Sequence, residues 1–115
     1  MFLCATAGEL IVGQVSLYLR KIEGGYSHWC PGCMGMHVIP TDEPHPNDSR
    51  WTFNGNVSAP TFSPSVRIRR YAGDQVVEVC HYNVTAGWLH FHPDTTHALS
   101  GVAMTMSELP PELRD

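Results

Sequence analysis

The sequence predicts a mainly β fold, a small antiparallel sandwich or barrel. Three observations carry this. Apolar and polar residues alternate with period two in several short runs, the spacing that sends successive side chains to opposite faces of a strand. Ten glycines and nine prolines are scattered through 115 residues without forming a repeat, which favours many turns over long helices. No run of useful length carries an apolar stripe of helical period. The pattern amounts to about seven short strands in one domain, and a chain of this length buries roughly two-thirds of its unfolded surface. Residues 1–14 read as an N-terminal extension, 15–108 as a single β domain, and 109–115 as a Pro-rich, charged C-terminal tail expected to fray.

Taken in order, Leu10 to Arg20 is rich in aliphatic residues, and Val15, Leu17 and Leu19 alternate with Ser16, Tyr18 and Arg20 as in a half-buried strand. Glu23-Gly24-Gly25 is a turn. Tyr26 to Trp29 and Met36 to Ile39 form two arms of a hairpin whose tip is Cys30-Pro31-Gly32-Cys33. Thr41 to Ser49 is a loop by composition. Trp51-Thr52-Phe53 runs into Asn54-Gly55, a hairpin signal. Val66 to Tyr71 alternates, with Val66 and Ile68 on one side and Arg67 and Arg69 on the other. Val76 to Phe91 reads as a hairpin turning at Ala86-Gly87. That turn pairs Thr85 with Trp88, Val84 with Leu89, Asn83 with His90, Tyr82 with Phe91 and His81 with His92. Ala98 to Met106 is expected to be a last strand.

Two cysteines two residues apart, with Pro and Gly between them, form a tight knuckle whose sulfurs can face one centre; Gly32 is expected to supply a positive φ there. A thiolate pair of this kind is half of a tetrahedral zinc site. Cys80 is the third ligand by elimination, because Cys4 lies in the extension. A histidine should complete a Cys₃His shell. His97 ranks first, since it follows a turn and can swing back towards Cys80; His37 and His81 are the alternatives. No βαβ pattern surrounds the CxxC to suggest a thioredoxin-like redox pair, and the N-terminus lacks a basic segment of the secretory type, so reduced thiols in a cytoplasm are expected. The fold expected is therefore a sandwich or barrel with a zinc-knuckle hairpin.

The Ala86-Gly87 register places His81, His90 and His92 on one hairpin face, where they could bind a second metal or shuttle protons, although no carboxylate sits in the hairpin beside the cluster to orient an imidazole. Thr52, Asn54, Thr61, Ser63 and Ser65, with Trp51 and Phe62, form a polar and aromatic recognition surface, and Trp51, Asn54, Thr61, Ser63, His90 and His92 are the candidate binding residues. The formal net charge of −4 argues against nucleic acid as a partner, and no run reaches membrane-spanning length.

These motifs resemble a family of small proteins of tailed bacteriophages and prophages, a domain of unknown function whose members are often labelled "ammonia monooxygenase". The resemblance rests on Trp29 to Cys33 with His37, Trp51 to Gly55, Pro60 to Ser65, Cys80 to Tyr82 with Gly87, and Asp94 to Gly101, and spans about Arg20 to Thr105. It implies a phage origin, in the cytoplasm of an infected bacterial host, and a shared metal site at Cys30, Cys33, Cys80 and His97. It implies no ammonia oxidation, which needs membrane-embedded copper subunits.

The function expected from these readings is a phage-encoded, zinc-stabilised binding module, acting on a host or defence component or sequestering a small molecule. The alternative is a zinc-dependent hydrolase using Asp94 and His97. The balance leans against an enzyme, since neither HExxH nor an HxE paired with PCxxC is present.

Overall fold

Period-two alternation is realised in nine antiparallel strands among the described residues, 12–42 and 50–115 of a computed structural model. One sheet contains β1 (Gly13–Gln14), β2 (Leu19–Ile22), β3 (Gly25–Cys30) and β4 (Gly35–Pro40), in that order. The other contains β5 (Thr52–Phe53), β6 (Phe62–Ala72), β7 (Gln75–Thr85), β8 (Trp88–Phe91) and β9 (Ala103–Thr105), also in chain order. The two sheets make a sandwich-like fold. Leu19, Cys30 and Ile39 of the first sheet close against Phe62, Val66, Tyr82, Val84, Leu89 and Phe91 of the second. Aromatic contacts bridge them, with Tyr26 4.8 Å from Phe53 between ring centroids. No helix among the described residues is long and apolar enough to cross a membrane.

The β7–β8 hairpin has the expected register: Tyr82 faces Phe91, Asn83 His90, Val84 Leu89 and Thr85 Trp88. Its turn residues Ala86 and Gly87 have φ of 49° and 80°, the left-handed pair that matches the twist of a tight hairpin. At the knuckle, Cys30 pairs with Gly35, and the left-handed residue is Met34 (φ 56°) instead of Gly32.

Three expectations change. Leu10 to Arg20 is not one strand: the Ser16 hydroxyl accepts the Tyr18 and Leu19 amides, both at 3.1 Å, and this local bonding bends the chain between β1 and β2. The residues before Val12 lie outside the described residues, as does Cys4. Ala98 to Gly101 is a turn, with Ser100 N–H on His97 O, and only Ala103–Thr105 continue as β9. The tail does not fray. Leu109 is fully buried and its amide donates to Leu17 O, Arg20 bonds Leu113 O and the Asp115 carboxylate, and the Gln14 amide also donates to Asp115.

Three polar side chains sit inside the core. His28 Nδ1–H donates to Trp29 O, so its Nε2 accepts the Tyr82 hydroxyl at 2.6 Å, and His37 Nδ1–H donates to the same oxygen at 2.9 Å. Burial holds the His28 ring neutral by lowering its pKa to about 3, and lowers His37 as well. Replacing Tyr82 by Phe keeps the ring and leaves a buried acceptor and a buried donor unpaired. The variant should fold, with a stability loss of about 2–4 kcal/mol in chemical denaturation. An unchanged midpoint would show that the hydroxyl bonds contribute nothing net.

Candidate active site and metal centre

Pro64 lacks an amide proton and cannot take its place in a strand ladder. The β6–β7 register shifts at this point: Phe62 pairs with Val84, but Val66 pairs with Tyr82, so extra β6 residues bulge outward around Pro64. The bulge ends at Ser65, which is half-buried and shares the face of Arg67 and His81. Its Oγ lies 3.0 Å from His81 Nε2. On the other side of the ring, His81 Nδ1 lies 3.0 and 3.1 Å from the two carboxylate oxygens of Asp94. A carboxylate only accepts, so Nδ1 carries the proton and Nε2 offers its lone pair to the Ser65 hydroxyl. Loss of water contact pushes the Asp94 carboxyl up, but the bond from His81, with the Arg67 guanidinium 3.6 Å away, outweighs this and holds it below its ordinary value.

The backbone of His81 is clamped by the segment that follows β8. Thr95 Oγ1 accepts the His81 amide at 3.0 Å and donates to the His81 carbonyl at 2.9 Å, and Thr95 is buried. Thr96 N–H donates to Val79 O at 2.9 Å. Asp94, Thr95 and Thr96 thus lie across β7 as a strap. His92 stacks on His81 with ring centroids 3.9 Å apart, and its Nε2–H donates to Asn83 Oδ1 at 2.6 Å.

One residue earlier on β7 the side chain points to the opposite face. There Cys80, with Cys30 and Cys33 of the knuckle and His97 at the far end of the strap, forms a group whose ligand atoms all lie within 4.8 Å of one another. Cys30 Sγ is 3.9 Å from Cys80 Sγ, and Cys80 Sγ is 3.3 Å from His97 Nε2. Gly32 has a role other than turn geometry: a Cβ there would overlap the His97 ring. The thiols cannot all ionise together unaided. The bond from Cys80 holds Cys30 down at about 5, burial and the Cys30 charge push Cys33 up to about 11, and Cys80 is driven up by its role as donor to Cys30 and by burial. A bound cation would relieve this conflict, so the donor set fits a metal ion.

Residues 5–92, more than half of the chain, match the family described as bacterial ubiquitination-like system serine protease (BubE). The chain belongs to the BubE family. No curated protein and no solved structure matches it. Ser65 and His81 lie inside the span matched to BubE, and Asp94 and His97 fall just beyond it.

The BubE match corrects the functional expectation. A phage-encoded, zinc-stabilised binding module is replaced by membership of a bacterial protease family, and the zinc-hydrolase alternative loses its basis. The pair that alternative needed is also not assembled: Asp94 turns to His81, while His97 turns to Cys80. His37 and His81, the other candidates for fourth metal ligand, are engaged by Tyr82 and by Ser65 with Asp94 respectively.

The remaining residues singled out from the sequence are placed as follows. Trp51 Nε1 donates to Ser65 O, holding the bulge from the β5 side. Asn54 caps its own turn through Ala59 O, and Thr61 Oγ1 accepts the Ala86 amide. Ser63 and His90 are exposed. A cavity of about 560 Å³ lies beside the metal group, lined by Met36, Ile68, Arg70, Val77 and Glu78, across the β6–β7 ribbon from Ser65. Sequence reasoning did not pair Ser65 with His81. The signal that pointed there was Ser-Pro-Ser preceding a strand whose partner carries a histidine on the same face.

Gly32→Ala should weaken metal binding sharply and destabilise the chain with it, because the new methyl displaces His97 from the cysteines. Metal analysis of the purified variant checks this, and full wild-type content would show that His97 is not needed.

Proposed function

We propose that this chain is a serine peptidase in which Ser65 is the nucleophile, His81 the general base and acid, and Asp94 the group that orients and charges the imidazole. One observation supports this above the others: the unbroken hydrogen-bond line from Ser65 Oγ through His81 to Asp94. That arrangement defines a Ser-His-Asp triad by geometry, whatever the fold or chain order. The family description agrees in naming a serine protease, and it points to a protein chain of a bacterial ubiquitination-like system as the substrate.

Ser65 Oγ attacks the scissile carbonyl carbon as His81 Nε2 takes the hydroxyl proton. Asp94 stabilises the imidazolium through Nδ1–H. Collapse of the tetrahedral species breaks the C–N bond, and Nε2 returns the proton to the departing amine, leaving an acyl ester on Ser65. Water, deprotonated by the same nitrogen, then hydrolyses the ester and restores the serine. Thr95 serves by holding the His81 backbone in place. The metal in this reading is zinc, held by Cys30, Cys33, Cys80 and His97 as a staple without an open position for substrate.

A fluorophosphonate probe should label Ser65, and Ser65→Ala should abolish both labelling and peptide hydrolysis. Asp94→Asn should cost about four orders of magnitude in turnover through the wrong tautomer. It should leave metal content unchanged. Labelling that persists in Ser65→Ala would remove Ser65 from the mechanism.

Removal of the metal is expected to unfold the chain. Structural zinc is worth on the order of 10–16 kcal/mol apparent, against about 5–15 kcal/mol for a whole domain. Circular dichroism during titration with a strong chelator should show loss of β structure. Retention of the folded spectrum in a metal-free chain would reject the staple.

A further inference from the structure

The triad base belongs to a second group of metal-ligating side chains. One nitrogen each of His81 and His92 and a carboxylate oxygen of Asp94 lie within 4.8 Å of one another, on the face opposite the cysteines. The group is reachable from solvent: the His81 side chain is 18% exposed and that of Asp94 43%. Two imidazoles and a carboxylate, with room for water, are the donor set of an open zinc site. The ring of His92 is already fixed, because its Nε2–H is spent on Asn83 Oδ1, which leaves its lone pair on Nδ1.

We propose that His81, His92 and Asp94 form an inhibitory site for a divalent transition ion of the zinc class, whose occupancy silences Ser65. The inference rests on the peptidase reading. In the active state the His81 proton is on Nδ1, bonded to Asp94, and Nε2 is free to accept from Ser65. An ion that takes the Nδ1 lone pair, beside the carboxylate, forces the ring's one proton to Nε2. No proton is released to solvent; it changes nitrogen. Nε2–H then donates to Ser65 Oγ, and the hydroxyl has no base. The ion also withdraws Asp94 from its orienting role. Arg67, 3.6 Å from the same carboxylate, competes with the ion for Asp94, which makes occupancy reversible. The cysteine group has no such competitor and fills first.

The experiment uses the full chain with the cysteine group loaded. Zinc is added alone, its binding counted by equilibrium dialysis, and the rate of fluorophosphonate labelling at Ser65 followed in parallel. The wild type should take up a further zinc per chain and lose labelling in step with it. His92→Phe keeps a stacked ring without a nitrogen donor. Measured against its own labelling rate without added zinc, it should bind the further ion more weakly by about tenfold or more and resist inhibition correspondingly. Arg67→Ala should shift inhibition to lower zinc. No further ion in the wild type, equal sensitivity of His92→Phe, or acceleration by zinc would each overturn the inference. If Ser65 is never labelled, at any zinc concentration, the peptidase reading falls and silencing with it, while the dialysis count, which needs no activity, still decides whether the site binds.

Discussion

Everything built on β7 depends on alternation at three consecutive residues. Cys80 points to the knuckle, His81 to the opposite face and Tyr82 back into the core. A pleated strand permits no other arrangement, since successive side chains leave on opposite sides. One short stretch therefore contributes a side chain of the candidate metal group, the proposed triad base and the hub of a buried hydrogen-bond network. The same alternation keeps the thiols and the imidazole of the triad apart by the thickness of the ribbon. The cavity beside the cysteines opens on the wrong face to be the substrate cleft for Ser65.

The second constraint is the strap from Asp94 to His97. Asp94 meets His81, Thr95 clamps the His81 backbone, Thr96 bonds Val79 and His97 meets Cys80. Four successive residues thereby read both faces of one strand, one from each side of the ribbon and two along its backbone. A partly exposed hydrogen bond from His81 to Asp94 would hold poorly by itself, because solvent competes for both groups and fixing two side chains costs entropy. Here the buried Thr95 and the backbone bonds fix the carboxylate before the pair forms, so little entropy is left to lose.

Much of this was legible in the sequence, and the parts that were not have a common cause. The β7–β8 register could be read because Ala86-Gly87 is a two-residue turn, which fixes every pair below it. The metal group could be read because CxxC is a local signal and Cys80 was the remaining candidate in the domain. Ser65 could not be paired with His81 by counting back from the Gly73-Asp74 turn, because the irregularity between Arg70 and Tyr71 shifts the β6–β7 register by one residue. Asp94 was discounted as a partner for the histidine face because it lies outside the hairpin, and only the fold of the strap returns it. Ser16 broke the first strand by a hydroxyl-to-backbone bond that apolar periodicity does not register. In each case the missed feature is an irregularity, where the chain departs from the regular strand ladder.

That pattern bears on how so small a domain could carry the proposed acyl-transfer chemistry. Val66 pairs with Tyr82 and Arg67 with His81, so Ser65 is the diagonal neighbour of His81 on the same face and its hydroxyl reaches the imidazole at 3.0 Å. The bulge ends there, and Trp51, donating to Ser65 O, ties it to the β5 side. Buried area alone gives a chain of this size a modest core, and a bulge beside the nucleophile removes ladder bonds from its longest hairpin. The cysteine group sits on the reverse of that same hairpin, joining the knuckle of the first sheet to β7 of the second. An ion held there would cross-link the two sheets behind the point where the ladder is weakest, so the irregular face can be reserved for chemistry while the opposite face carries the fold.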